Sequence, residues 1–225
     1  MTGKTKGIVF DLDGTLIHSN IDFPRMKRRM IEILEDRDIP RGMFTPKQTT
    51  VAILAEADKI WSAQGKKETE IAEIQEALEE TMNHGELEAI STVEEVEGAS
   101  DALRLLKERG YMLAVLTRSH HAYAVEALKK IGAHKYFDLI LGRDETRKPK
   151  PYAEALQHTS ELLGLLMEEI LFVGDNHIDH ATAINVECLF VGVRSGPRGD
   201  DSWAQNRPEI LLDDVSDLPG YLDGA

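Results

Sequence analysis

The chain alternates short, largely apolar runs with longer stretches in which apolar residues return every three or four positions. The apolar runs, residues 7–10, 112–116, 136–141, 170–173 and 188–193, have the length and composition of strands buried on both faces, where no polar alternation survives. Between them, ASDALRLLKERG, HHAYAVEALKKIG and PYAEALQHTSELLG carry helix signals: Ser100 or Pro151 near the start, Gly110, Gly132 or Gly164 at the end. Strands alternating with helices predict an α/β fold, a three-layer, Rossmann-like parallel sheet with helices on both faces. A further short strand is predicted at 210–212.

The alternation stops between Leu16 and about Glu97. There the chain reads as three helical segments without a strand: PRMKRRMIEILEDRD and PKQTTVAILAEADKIW, each opening on proline, and KKETEIAEIQEALEETM, with Ile71, Ile74 and Leu78 at helical spacing. The pattern predicts a core of residues 1–17 and 96–225 with an all-helical domain, 18–95, inserted after the first strand. There is no repeat and no low-complexity tract, and RSGPRGDDS is expected to be a loop.

Length and charge narrow the function. A chain of 225 residues accommodates one sizeable core plus a smaller domain. Twenty-six Lys and Arg against 40 Asp and Glu give a formal charge of −14, which disfavours nucleic acid or an anionic membrane as partner. The single cysteine, Cys188, has no partner for an internal disulfide and lies in an apolar run, as expected of a buried thiol in a reducing compartment. No apolar stretch approaches the roughly 20 residues of a membrane helix, and the polar start runs straight into a strand. A soluble, cytoplasmic protein is expected.

The chemistry concentrates where predicted strands end. GIVFDLDGTL places Asp11 and Asp13 directly after an apolar run. Residues two apart on a strand share a face, so two such carboxylates repel unless a cation or a proton relieves them. Taken alone, Asp13-Gly14 reads equally well as a hairpin turn. A calcium-binding loop with Gly14 at its sixth position would put Val9 first and Asn20 twelfth, where acids belong, and so does not fit. Thr117 follows the second strand, Lys148 lies in the loop after the third, and Asp175 follows the fourth. Open α/β sheets bind ligands outside the carboxyl ends of their strands, so these groups are expected to converge.

The same residues carry a family resemblance. DLDGT, LTRS, KPKP and GDNHID resemble, in order, the four motifs of the haloacid-dehalogenase-like hydrolases, and the inserted helical cap is similar to that of the phosphoglycolate-phosphatase-like branch. The resemblance implies a phosphatase acting on a small-molecule phosphate monoester. Asp11 would be the nucleophile that forms an aspartyl phosphate, and Asp13 the acid and base that serves the leaving group and then water. It also implies magnesium held by Asp11, the Asp13 backbone carbonyl and Asp175, with Asp179 acting from behind them. Thr117 and Lys148 would bind the phosphoryl oxygens. A short β-hairpin flap is implied near residues 16–20.

Some positions stay open. KPKP offers Lys148 and Lys150, and the motif spacing selects Lys148. Arg118 stands where relatives often carry a small or amide side chain, and its guanidinium suits a substrate carboxylate or phosphate, though an exposed surface arginine is an equal reading. His120, His121 and His177 lack zinc-site spacing and are expected to be solvated loop residues. Arg25, Lys27, Arg28 and Arg29 form a basic run expected on a solvated helix face. A phosphosugar mutase on the same scaffold and a non-catalytic binding protein are the competing functions. Dehalogenase and phosphonate-cleaving chemistry fit less well, because in that resemblance their first motif lacks the second aspartate.

Overall fold

The computed structural model describes residues 4–224, so the extreme ends of the predicted core range, 1–3 and 225, lie outside the described residues. The chain divides into two compact units, Met1–Ser19 with Ile90–Ala225, and Asn20–Ala89.

The first unit is built on strands β1 (Gly7–Phe10), β4 (Met112–Leu116), β5 (Leu139–Leu141), β6 (Ile170–Gly174), β7 (Leu189–Val193) and β8 (Leu211–Leu212). They form one sheet in the order β5-β4-β1-β6-β7-β8, and every pairing is parallel. Parallel neighbours need crossovers, which helices α4 (Ala99–Glu108), α5 (His121–Lys130), α6 (Ala153–Leu163) and α7 (His177–Asn185) provide. Strand β1 is central and has no water on either face: Ile8, Val9 and Phe10 are fully buried, each contributing about 1.5–3 kcal/mol of apolar burial. Val9, Ala114, Leu116, Ile170 and Phe172 share a core cluster with Ala155, Leu156 and Leu163 of α6 and Ala183 of α7. From β1 the chain builds outward through β4 and β5 on one side, then through β6, β7 and β8 on the other. That reversal makes the carboxyl end of β1 the switch point, where such sheets open a crevice.

Several local expectations change. Strand β5 is shorter than 136–141 because His134–Tyr136 turn as a helical segment and Phe137 packs edge-to-face on Phe10, ring centroids 6.2 Å apart. In place of a hairpin at 16–20, β2 (Ile17–His18) pairs antiparallel with β3 (Glu94–Glu95). Its partner is therefore the strand by which the chain returns from the helical unit. Cys188 is only partly buried; its thiol donates to the Ile170 carbonyl at 3.3 Å.

The second unit contains α1 (Phe23–Glu35), α2 (Thr50–Ala63) and α3 (Glu68–Glu88). Met26, Met30, Leu34, Ile53, Ala57, Trp61, Ile74 and Leu78 meet in its core, and the buried Trp61 indole N–H is satisfied by the Arg37 carbonyl at 3.2 Å. Helix α1 takes its proline in the first turn as predicted, behind an Asp22 cap. Helix α2 does not begin at Pro46. Thr49 caps it, its hydroxyl accepting from Ala52 N at 3.2 Å, while Lys27 donates to the carbonyls of Pro46 and Gln48 and ties that preceding turn to α1. Of the basic run, Arg25 and Arg29 lie 3.7 and 3.9 Å from Glu88 on α3. These contacts brace the helical unit internally. No helix among the described residues is long and apolar enough to cross a membrane.

Candidate active site

The sheet ladder itself delivers the acids. Beyond the end of β1, Asp11 N donates to Val173 O at 2.9 Å, and beyond β4, Thr117 N donates to Leu141 O at 3.0 Å. Each residue is thus the first past its strand yet still fixed by a ladder hydrogen bond. Asp175 follows β6 directly, and Asp179 sits in the first turn of α7, where its carboxylate accepts from Asn176 N at 3.2 Å in a capping box.

Asp13 is not on a strand, so the shared-face expectation fails. The chain turns after Asp11, with Leu16 N and Ile17 N both donating to Leu12 O and Gly14 N to Ile17 O. Gly14 has a φ of +89°, and a Cβ there would fall 2.6 Å from an Asp175 carboxylate oxygen. Glycine is required both for the turn and for the approach of Asp175. A Cβ on Gly196 would overlap the same carboxylate. Asp175 therefore lies in a slot walled by backbone.

Turning aims the Asp13 carboxylate at three hydroxyls. Ser19 Oγ donates to Oδ1 at 2.7 Å, Tyr123 Oη to Oδ1 at 2.8 Å, and Ser119 Oγ to Oδ2 at 3.2 Å. Burial pushes the Asp13 pKa up, Asp11's charge adds to the rise, and the hydroxyls oppose it. The net direction favours a protonated carboxyl.

Asp11, Asp175 and Asp179 offer carboxylate oxygens that all lie within 4.8 Å of one another. Burial, reinforced by the charges of Asp11 and Asp179, raises the Asp175 pKa to about 9, and burial raises Asp179 to about 6 against the pull of Lys150. Carboxylates packed this way are held apart from full ionisation, which is the electrostatic condition a bound cation removes. Such a cluster of oxygen ligands fits a hard divalent ion.

The lysine against these acids is Lys150, not Lys148. Lys150 is 2% exposed, and its Nζ lies 2.5 Å from Asp11 Oδ1 and 2.6 Å from Asp179 Oδ1. Burial disfavours its charge, but the two carboxylates outweigh burial and hold its pKa above the ordinary value. Lys148 has its side chain 53% exposed and pairs with Glu154 at 2.7 Å. The difference is one of depth. Lys150 stands directly before α6, whose Ala155 and Leu156 are anchored in the core, whereas Lys148 lies two residues further out.

Other predicted positions divide. The Thr117 hydroxyl accepts from Ser119 N at 3.0 Å and is buried. Arg118 is half-buried; its carbonyl accepts from Arg143 at 3.3 Å, and among the described residues its guanidinium has no hydrogen-bond or ion-pair partner. His120 caps α5 through Ala122 N, and His121 pairs with Glu145 at 2.6 Å, so both are structural at a helix start and not solvated loop residues. His177 is exposed. The residues sequence reasoning did not name are Ser19 and Tyr123, and Lys150 was the alternative it set behind Lys148. Tyr123 lies in the first turn of α5, six residues after Thr117, and nothing in its sequence context separates it from an ordinary core aromatic.

An acid at the switch point, a second acid on the following turn, a buried lysine and two further aspartates are gathered where the four motifs imply an active site. The chain belongs to the haloacid dehalogenase-like hydrolases, whose family model matches residues 8–193. It is 30% identical over 219 residues to the pyrophosphatase PpaX of Listeria welshimeri, covering 97% of this chain and 96% of that protein. It is 26% identical over 221 residues to the phosphoglycolate phosphatase of Pectobacterium atrosepticum, covering 95% and 90%. The crystal structure of a predicted phosphoglycolate phosphatase from Haemophilus somnus superposes with a TM-score of 0.66 at 24% identity, over 97% of this chain and 98% of that one.

Proposed function

We propose that this protein is a magnesium-dependent phosphatase that hydrolyses a small-molecule phosphate monoester, in solution in the cytoplasm, through an aspartyl phosphate on Asp11. The observation that carries the reading is the opposed setting of Asp11, with Lys150 2.5 Å away on one oxygen and Asp175 and Asp179 clustered beside it. Asp11, Asp175 and the Asp13 backbone carbonyl would hold the ion. Asp179 spends one oxygen on Lys150 and the other on Asn176 N, so its part is to orient the lysine. Bound magnesium supplies the positive charge that lets a phosphate dianion approach an acidic site.

In this reading Asp11 attacks phosphorus and the ester P–O bond breaks, while Asp13 gives its proton to the departing oxygen. Asp13, now a carboxylate, takes a proton from the attacking water; the P–O bond to Asp11 breaks, and inorganic phosphate leaves. Lys150 and Thr117 hold the phosphoryl oxygens as charge spreads over them. Lys150 takes the place the spacing had given to Lys148. Arg118, at the rim and without a partner, suits a second anionic group on the substrate. Pyrophosphate and phosphoglycolate, named for the relatives, both carry one.

The test is release of phosphate from a panel of phosphate esters, namely phosphoglycolate, sugar phosphates and nucleotides, and from the anhydride pyrophosphate, by wild type and Asp11→Asn, with and without chelator. Release by wild type alone, abolished by chelator, is expected. Release that persists in Asp11→Asn would overturn the assignment of the nucleophile, and isomerised sugar phosphate without free phosphate would identify a mutase.

A further inference from the structure

The proposed proton carrier is clamped from both sides by one short segment of chain. Ser119, at the end of the loop after β4, reaches Asp13 Oδ2, and Tyr123, one helical turn later on α5, reaches Oδ1. Tyr123 is fully buried and Ser119 nearly so, so neither hydroxyl is on loan from the surface. Two donors on opposite oxygens fix the plane of a carboxyl group, which one donor alone leaves free to rotate.

The grip is also unequal. Oδ1 receives two short bonds, from Tyr123 at 2.8 Å and Ser19 at 2.7 Å, while Oδ2 receives one of 3.2 Å. The carbonyl oxygen of a carboxyl group accepts hydrogen bonds better than its O–H oxygen does, so the two short bonds on Oδ1 make it the acceptor and leave Oδ2 as the oxygen suited to carry a proton. The Ser119 hydroxyl accommodates either state, since it accepts as readily as it donates. A phenol is the suitable partner for Oδ1, because at neutral pH it keeps its proton and remains a donor.

We infer that Tyr123 and Ser119 are positioning residues that hold Asp13 in one plane with Oδ2 as its proton-bearing oxygen, and thereby set how well the enzyme expels poor leaving groups. The inference rests on the phosphatase reading. In the step concerned, Asp11 forms a bond to phosphorus, the ester P–O bond breaks, and the Oδ2 proton passes to the departing oxygen, leaving Asp13 anionic. An alkyl oxygen needs that proton as the bond breaks. A nitrophenolate leaves without it. The clamp therefore matters for the first and is dispensable for the second.

The measurement is kcat/KM, which reports steps up to formation of the aspartyl phosphate and excludes the later attack of water. It is made on an alkyl phosphate and on p-nitrophenyl phosphate for wild type, Tyr123→Phe and Ser119→Ala. Tyr123→Phe keeps the ring in the core and is expected to lose about 10- to 100-fold on the alkyl ester, part of the range for general acid catalysis, and less than about threefold on the aryl ester. Ser119→Ala is expected to shift in the same direction by less, and it carries the comparison should the tyrosine variant not fold. Equal losses on both esters would show a merely structural role, and unchanged values would show no role; either overturns the inference. Wild type that releases phosphate from neither ester overturns the phosphatase reading itself, and the inference with it.

Discussion

Replacing Lys150 by methionine separates the two lysines of KPKP and tests the electrostatics of the site in one experiment. The substitution keeps the volume and removes a charge that is 2% exposed and within 2.6 Å of two carboxylates. Breaking a buried ion pair by deleting one partner destabilises by about 3–5 kcal/mol, which for a chain of this size lowers the melting midpoint by about 6–20 °C. The sign of the pH dependence follows from Asp179, whose pKa stands at about 6 even with the lysine present. A carboxyl raised on folding weakens the folded state above its unfolded pKa and stops doing so once protonated in both states. The destabilisation of Lys150→Met is therefore larger at pH 8 than at pH 5, because Asp179 without the lysine takes up its proton above about 6 and the difference from wild type has shrunk by the time the pH reaches that value. Activity falls further than stability explains, by about 100- to 1000-fold in kcat, the usual loss when one preorganised donor to the transferring group is removed. Lys148→Met serves as the control: its pair with Glu154 is exposed on both sides, so it is expected to melt with wild type. Thermal melts by circular dichroism at pH 8 and pH 5, with phosphate release measured alongside, give both readouts. The reasoning fails if Lys148→Met loses activity as deeply as Lys150→Met, or if Lys150→Met melts with wild type at pH 8.

Three further outcomes follow from single residues. Thr15 is fully buried and its hydroxyl has no hydrogen-bond partner among the described residues, so Thr15→Val is expected to raise stability by about 1 kcal/mol, read as a higher urea midpoint at unchanged slope. Burial pushes the Cys188 thiol up to about 12, so at pH 8.5 it remains protonated; iodoacetamide is expected to label it only after denaturation, as mass spectrometry would show. Arg118→Gln is expected to lower kcat/KM by about 10- to 100-fold on esters that carry a second anion, matching the strength of charge-assisted hydrogen bonds, and to leave neutral esters within about twofold in the same phosphate assay.

What could be read in the sequence was what local pattern determines. Buried strands such as 7–10 and 112–116 are short and unbroken, helices end at glycines with positive φ such as Gly132 and Gly164, and the strand-free stretch of amphipathic helices stands out as a separate unit. The acids were legible because they interrupt apolar runs. What was not legible depended on contacts between distant residues. Lys148 and Lys150 are each followed by proline, and only the packing of α6 against the sheet decides which one reaches Asp11, 139 positions away. Tyr123 meets Asp13 across 110 positions. Ile17–His18 has a turn-like context but finds its partner at Glu94–Glu95, on the far side of the helical insertion.

The charges of the site favour a protonated Asp13. In the proposed metal-bound state Asp11, Asp175 and Asp179 would contribute three negative charges and Lys150 one positive, leaving two more negative than positive charges before Asp13 is counted. A divalent ion cancels that excess. An ionised Asp13, half-buried and within the field of Asp11, would leave one charge uncompensated, and its pKa is displaced toward the neutral form. The same displacement is what a general acid needs, since a carboxyl that is already anionic has no proton to give. Burial, metal binding and proton donation are thus not three separate requirements on this loop. In the proposed reaction, a turn that half-buries Asp13, while Lys150 answers two neighbouring carboxylates, favours the neutral acid that the first half would consume, and the hydroxyls around it would stabilise the anion that the second half needs.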